Sequence, residues 1–574
     1  MILPRPSSPR PIFLSLVFLS TITALSSHVH FLFPLTFSRA CAKTAAQLSR
    51  GRLYPNYRMK SIFTLLLSIG VVLLGSPAEA TTYTTTTFTD FPITPGLGGV
   101  NTTTGQISGG TGNGQVSLRS AIIASNFEGG TNVINLSNGT YLLTQGPYDD
   151  EFNTGGGTME TGDLDIIDLQ IAGYPRLASV TLNGAGRDTT IIQMGTLVPA
   201  SGGISKDRIL EVNDSVIPQV AVHVTLNNLT MQGGVAPRTP DPDHYFTPGG
   251  GIKYDGFDSA TGKSSGVLTL NNCKVTGNQS AGLGGGINAI WCSLVIQSNS
   301  IVSFNTNQFA SGGGIQYSGG NNIDSPPQTV TIKDSFVTNN VALDGTFGSG
   351  GGLYTTGGGG MTISNTLFAG NLASITNGGN GGGGLHIASM PVATIVNSII
   401  RSNSCKLNGG GLWCSPRNAV SNVAGTNTLT GVTVTGNTAD SDNTGGGNGG
   451  GIYHFFGTLI IQGASHIDGN SAVNGGGIFT TWSGIAGDPS ASLTVNGGTI
   501  GQSGSGNNAK ASGGAVAVAP GAATTFGTVS LNTVLMVGNN AVTSGGAAFI
   551  TSGSMNMGFS RVVSNTAPTG RAVA

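Results

Sequence analysis

Three consecutive glycines followed by isoleucine or leucine recur down this chain, beginning at Gly249, Gly284, Gly312, Gly350, Gly382, Gly409, Gly449 and Gly475, with Gly-Gly-Ala forms at Gly513 and Gly545. The intervals run from 26 to 40 residues. Between the triplets lies a second element, an apolar residue, two others and an asparagine, read at residues 275–278, 336–339, 368–371, 400–403, 434–437, 467–470, 536–539 and 562–565. A short alternating run precedes most of them, such as "VLTLNN" from Val267, "VTIKD" from Val330 or "MTISN" from Met361. Each repeat thus offers three strand-like pieces separated by Gly and Asn turns, and no helical period.

Three short strands per repeat is the arithmetic of a parallel β-helix, an all-β solenoid in which each repeat closes one rung and rungs stack about 4.8 Å apart. The usual hand of parallel crossovers makes it right-handed, with roughly a dozen rungs. Stacking predicts an interior aliphatic ladder of Ile252, Ile287, Ile315, Leu353, Leu385, Leu412, Ile452 and Ile478. It also predicts a turn ladder of Asn278, Asn339, Asn371, Asn403, Asn437 and Asn470, since asparagine tolerates the left-handed conformation and its amide can bond the next rung's amide. A flexible linker of similar composition would not keep an aliphatic residue in register behind eight glycine triplets.

Composition agrees. A chain of 574 residues would ordinarily divide into several cores, but 94 glycines, 9% charged residues and 38% hydrophobic residues suit one repeated architecture better. Glycine lacks the three-residue period of collagen. A formal net charge of −1 without basic runs excludes nucleic acid as a partner.

Residues 59–80, "MKSIFTLLLSIGVVLLGSPAEA", have the basic start, apolar run and small-x-small end of a signal peptide, with cleavage expected before Thr81. Residues 1–58 are a doubtful N-terminal extension, translation being expected to start at Met59. Residues 81–115 form a lead-in, residues 116–248 a helix cap with the first rungs, and residues 249–574 the glycine-triplet repeats. In the cap, Ser117 is placed to start a short helix with Leu118, Ala121 and Ile122 on one face, covering the open end of the solenoid. Cys273, Cys292, Cys405 and Cys414 permit two short-range disulfides, 273 with 292 and 405 with 414, or four buried thiols. No CxxC pair or His-Cys cluster suggests a metal, and no cofactor is expected.

Residues 116–122, "VSLRSAI", resemble the Cys-Ser-Leu-Arg-Glu-Ala-Ile signature of the CSLREA family of exported bacterial β-helix proteins, and "GDLDI" from Gly162, "VTLNGAGRDTTII" from Val180 and "VTLNNLTMQGG" from Val224 resemble the segments that follow it. The GGGI and FxxN elements are similar to the repeats of polymorphic outer membrane proteins. The resemblance covers residues 110–574. It departs at Val116 and Ser120, which stand for Cys and Glu, and in its glycines where the outer membrane family prefers alanine. It implies an exported right-handed β-helix, secreted, at the cell surface or associated with the outer membrane. The barrel strands of autotransporting relatives are not seen, so no transmembrane barrel is expected in this chain.

β-Helices also host polysaccharide lyases and hydrolases, which need clustered carboxylates. The best acidic group is Asp163, Asp165 and Asp168, where strand alternation puts the first two on one face. Of the elements of β-helical polygalacturonases, Asn-Thr-Asp, Gly-His-Gly and Arg-Ile-Lys are missing, and Asp149-Asp150 is the one Asp-Asp pair. Asp241, Asp243 and His244, with Lys253 and Asp255 nearby, form a second constellation in a proline-rich insertion that reads as a solvated loop. His223, His386, His454 and His466 lie in strand-like runs and read as face residues.

A binding reading has a better pattern. The residue after each ladder aliphatic should point outward, and there successive repeats carry Lys253, Asn288, Gln316, Tyr354, His386, Trp413, Tyr453 and Phe479. Tyr354, His386, Trp413, Tyr453 and Phe479 would form an exterior column of rings able to stack on sugars or meet a partner surface, though stacking that merely stabilises the sheet is the plainer account. The expected function is a non-catalytic adhesion or interaction module directed at surface glycans or at host or neighbour-cell proteins. A polysaccharide lyase or glycoside hydrolase is the competing class.

Overall fold

The computed structural model describes residues 80–146, 159–169, 175–198, 206–212, 221–236, 249–258, 263–319, 327–343, 348–374, 381–418, 423–482, 490–519 and 527–574. The signal segment up to residue 79, Asp149-Asp150 and the Asp241, Asp243, His244 constellation lie outside them.

These residues form a right-handed parallel β-helix with three long faces, sheets of 14, 13 and 12 strands, and a narrow fourth face of two-residue strands in sheets of six and three. One turn of chain illustrates the rung. Val392–Val396 lies in the 14-stranded face, and Asn397 at φ 48° turns the corner into Ile399–Arg401 of the 13-stranded face. Ser402 at φ 54° and Asn403 make the next corner, Ser404–Cys405 forms the narrow face, and glycines 409–411 lead into Leu412–Ser415 of the 12-stranded face. The two corners around the 13-stranded face hold two or three residues in most rungs, the exceptions being residues 185–189 and 501–507. The remaining length variation falls at the corners on either side of the glycine-led strands, as in the single residue between Ile287–Ile290 and Cys292–Gln297 against ten between Leu412–Ser415 and Thr426–Thr430.

The predicted aliphatic ladder is continuous. Ile252, Ile287, Ile315, Leu353, Leu385, Leu412, Ile452 and Ile478 pair in register and are all buried. It extends to Leu164 and Leu210 before them and to Val516 and Ala548 after. Each such side chain contributes about 1.5–3 kcal/mol by leaving water.

The asparagine ladder runs through Asn278, Asn305, Asn340, Asn371, Asn403, Asn437, Asn470, Asn507, Asn539 and Asn565. At Asn403 the side-chain oxygen accepts from the backbone N–H of Asn371 at 3.0 Å and its Nδ2 at 2.9 Å, while Asn403 Nδ2 donates to Asn437 Oδ1 at 3.0 Å and to the Phe368 carbonyl at 3.1 Å. Both lone pairs and both amide protons are used, so the group is satisfied without water. One predicted member is corrected: Asn340, not Asn339, enters the ladder. The residue before nearly every ladder asparagine turns through positive φ, as Gly277, Gly370, Gly436 and Gly469 do, Gly506 before Asn507 being the exception, and Asn339 at φ 55° holds that turn position.

The three glycines of a triplet answer to three different neighbours. The first has positive φ in every triplet after that at Gly249, for example 70° at Gly409. A Cβ on the second would meet the next rung's backbone, 2.4 Å from the Gly410 carbonyl oxygen at Gly383. The third lies against both the next rung and the asparagine amide, a Cβ at Gly384 falling 2.7 Å from the Gly411 carbonyl oxygen and 2.9 Å from Asn403 Nδ2.

The lead-in supplies the first strand, Thr81–Thr84, which pairs with Gly130–Leu136. Between them lies helix α1, Leu118–Glu128, capped as expected by Ser117, whose Oγ accepts from Ser120 N while Ser120 Oγ accepts from Ser117 N. Residues 118–127 are buried all round, which suits a helix seated on the end of the bore. Arg119 is among them; it holds both Asp90 carboxylate oxygens and donates to the carbonyls of Thr161, Gly162 and Asp163.

The four cysteines are free and buried, which removes both proposed disulfides. Cys405 belongs to the narrow face and Cys414 to the 12-stranded face, while Cys292 lies in the 14-stranded face and Cys273 at its next corner, so neither pair faces across one ladder. Burial pushes the Cys273 thiol up to about 11 and those of Cys405 and Cys414 to about 12.

Gly383→Ala forces backbone apart and is expected to destabilise by about 2 kcal/mol or more, whereas Gly384→Ala should cost clearly less, because Ala515 and Ala547 already stand at the third position of the last triplets. Asn403→Ala strips the acceptor from two buried donors of Asn371 and should cost about 1–3 kcal/mol. Denaturant melts of the three variants, ranked side by side, check this order.

Candidate functional site

The first outward residues of the strands in the 12-stranded face form one column. Register pairs connect Asp165, Glu211, Lys253, Asn288, Gln316, Tyr354, His386, Trp413, Tyr453, Phe479 and Ala517 in sequence. The acidic group and the aromatic column, separate in the sequence, are thus two ends of the same line, which passes from ionic to amide to aromatic along the axis.

The aromatic end stacks ring on ring. Centroids are 4.7 Å apart for Tyr354 and His386, 4.1 Å for His386 and Trp413, 6.3 Å for Trp413 and Tyr453, and 5.4 Å for Tyr453 and Phe479, with ring planes within 21° of parallel. The expectation of an open exterior surface is corrected. His386, Trp413, Tyr453 and Phe479 point away from the bore yet are buried, and Tyr354 is half-buried. The cover is partly the chain itself. The first glycine of each triplet passes over the residue four places later, so that a Cβ on Gly350, Gly409 or Gly475 would lie 2.7–3.0 Å from the Cβ of Tyr354, Trp413 or Phe479. His386 Nδ1 also bonds the Gly381 carbonyl at 3.0 Å. The inner ring faces are occupied by neighbouring rings, and the stack ends with Tyr354 beside Gln316 and Phe479 beside Ala517.

The acidic end is closed as well. Asp163, Asp165 and Glu211 bring carboxylate oxygens within 4.8 Å of one another, all buried. Glu211, which the sequence reading did not include, joins because its strand Leu210–Val212 stacks on Leu164–Ile166. Arg208 takes one Glu211 oxygen and Lys253 the other. Arg208 also lies 3.5 Å from Asp163. With both Glu211 oxygens paired, a metal would have to displace two cations. Burial pushes the Asp163 carboxyl up against the opposing pull of Arg208, Arg119 and Lys253. Asp168 sits apart, past the end of the strand, paired with Arg176 at 2.5 Å and accepting from Leu177 N. These carboxylates form an internal ion network without the water access that glycoside hydrolysis requires.

His223 and His466 are exposed face residues, but His454 points into the bore, between Cys414 and Thr480 in its ladder, with Nδ1 3.0 Å from Thr480 Oγ1.

A different aromatic group is open. Trp291 is 41% exposed and Phe257 37%, their centroids 5.3 Å apart and planes tilted by 55°. Trp291 is the single residue joining Ile287–Ile290 to Cys292–Gln297, so it makes that corner alone, at φ 50°. Its backbone N–H donates to the Ser318 carbonyl at 2.7 Å. Phe257 begins a small antiparallel hairpin, Phe257–Asp258 with Lys263–Ser264, and its N–H bonds Asp255 Oδ1. Gly357 and Ser389 hold the equivalent left-handed corner in other rungs, as does the buried Phe456 at φ 73°, and a bulky residue there bears a conformational cost of about 1–2 kcal/mol. A tryptophan directly after "GGGINAI" was the available signal in the sequence.

No family model matches the chain, and no curated protein does. Among solved structures it is similar to the catalytic unit of a thermostable GH87 alpha-1,3-glucanase from Streptomyces thermodiastaticus strain HF3-3, at 16% identity over 86% of this chain and 69% of that one, with a TM-score of 0.38. Similarity of this degree leaves function to be argued from the chain's own residues. Among the described residues no helix is long and apolar enough to cross a membrane.

Burial lowers the imidazole of His386 to about 3 and that of His454 to about 4. Between the unfolded value near 6.5 and these folded values, only the unfolded chain takes up the proton, so stability is full above pH 6.5 and falls as the pH drops toward 4. For His454 the loss is on the order of 3 kcal/mol. His454→Val should flatten the fall in melting temperature between pH 6.5 and 4 relative to the parent, in a pH series of thermal melts.

Proposed function

We propose that this chain is an exported, non-catalytic recognition module whose stacked rungs hold an aromatic platform, Phe257 with Trp291, for a saccharide. The observation that carries the reading is Trp291 itself: a large, half-open indole kept at a backbone angle that favours glycine, beside a second open ring. Strain of this kind persists where the side chain is used. An indole offers a flat apolar face with a polar N–H at its edge, which suits the alternating C–H and O–H surface of a sugar ring. The burial of Asp163, Asp165 and Asp168, with Arg208 beside Asp163 and Arg176 on Asp168, weighs against the competing hydrolase or lyase reading at that cluster. The signal-like segment at residues 59–80 supports export, and the partner class is cell-surface or extracellular glycan.

Of the three tryptophans, Trp413 and Trp482 are buried, so fluorescence quenching by soluble acrylamide reports mainly Trp291. A panel of neutral and acidic polysaccharides should contain one that protects Trp291 from acrylamide and retards the protein in affinity gels. Trp291→Asn relieves the turn and should raise stability by up to about 1 kcal/mol while weakening that binding about tenfold or more. Binding that survives Trp291→Asn, or a panel with no binder, would refute the proposal; release of reducing ends or unsaturated sugars would favour the enzyme class instead.

A further inference from the structure

The 13-stranded face carries an apolar line that its own chain leaves open. Its first outward column runs, in register, Lys274, Ile301, Phe336, Leu367, Ile399, Thr433, His466. Phe336 and Ile399 are 40% and 42% exposed, and Ile301 and Leu367 are half-buried. Phe304, at the corner beside Ile301, is 63% exposed at φ 55°. Four consecutive rungs with large apolar side chains on a flat sheet are costly to leave in water.

The arrangement about Leu367 is self-complementary. Three rungs on one side stands Lys274, which makes no ion pair among the described residues. Three rungs on the other stands the strand His466–Asp468, in which Asp468, half-buried, makes no ion pair among the described residues. Phe304 projects from the corner two rungs before Leu367. Two rungs after it, the same corner is Gly436, where a Cβ would find only Ser402 Oγ, at 3.9 Å. A protruding ring and a bare glycine are thus equidistant from the same centre.

We infer that this face pairs with the same face of a second copy, antiparallel, about a two-fold axis through Leu367. Leu367 then meets Leu367 of the partner subunit, Phe336 faces Ile399, Ile301 faces Thr433, Phe304 settles over Gly436, and Lys274 reaches the Asp468 carboxylate. This is an isologous contact, which closes at two chains and does not propagate. The column spans about 29 Å from Lys274 to His466 and is one short strand wide, so the interface belongs to the smaller size class and should dissociate in the range of about 10–100 µM.

Sedimentation velocity over about 1–300 µM should show a monomer–dimer equilibrium in that range. Leu367→Glu alters both sides at once and should weaken it by about 100-fold. Lys274→Asp should also weaken it, and adding Asp468→Lys should restore it. The four native thiols in the described residues are buried, so introduced cysteines can report geometry. Under mild oxidation Leu367→Cys should cross-link to itself about tenfold faster than Ile301→Cys, while Ile301→Cys combined with Thr433→Cys should cross-link readily. A parent that stays monomeric throughout, or equal rates for the two single cysteines, would overturn the inference. A dimer unchanged by Leu367→Glu, in a variant whose melt matches the parent, would overturn it equally.

Discussion

Backbone stacked on backbone at about 4.8 Å is the constraint on which the rest of this molecule depends. At that distance identical side chains must tolerate one another along the axis, and few chemistries do. Branched aliphatics do so in the bore, where each fills the gap over the last. Asparagine does so at the corner, because its amide presents two donors and two acceptors that match the next amide one rung away. Aromatic rings do so by lying flat on each other, as His386 and Trp413 show. The glycine triplets are the complement, marking where even a methyl group meets backbone or amide.

That constraint explains which parts of the fold were legible in the sequence. Ladder positions such as Ile252 through Ile478 repeat in every rung and are anchored to a glycine triplet, so their inward direction follows from strand alternation. Asn339 shows where the pattern misleads: with two asparagines in succession, the choice between turn and ladder depends on which residue takes positive φ. Asn305, after "VSF", escaped because Phe304 occupies a turn position where glycine or serine is more usual.

The candidate site was less legible, for a related reason. Alternation places Trp413 and Tyr453 outside the bore, and they are outside it. Exposure is a separate matter, decided by what the chain does four residues earlier, when the glycine corner crosses over the same side chain. Glu211 joins Asp165 only because the intervening segment closes one rung, which no local pattern encodes. The open ring pair is hidden likewise, since Trp291 and Phe257 lie in neighbouring rungs and their contact is a property of the stack.

The uneven corners have a consequence for how such a chain can be elaborated. Two corners hold two or three residues in most rungs, and those flanking the glycine-led strands take up the remaining differences, from the lone Trp291 to longer connections such as that after Ser415. Added residues there shift no register, because the neighbouring strands are already held by the ladders. The molecule is therefore built like a ruled edge: whatever is spliced into that margin emerges at fixed multiples of the rung spacing, in line and facing one way, and an array of displayed segments can be lengthened or exchanged one tick at a time.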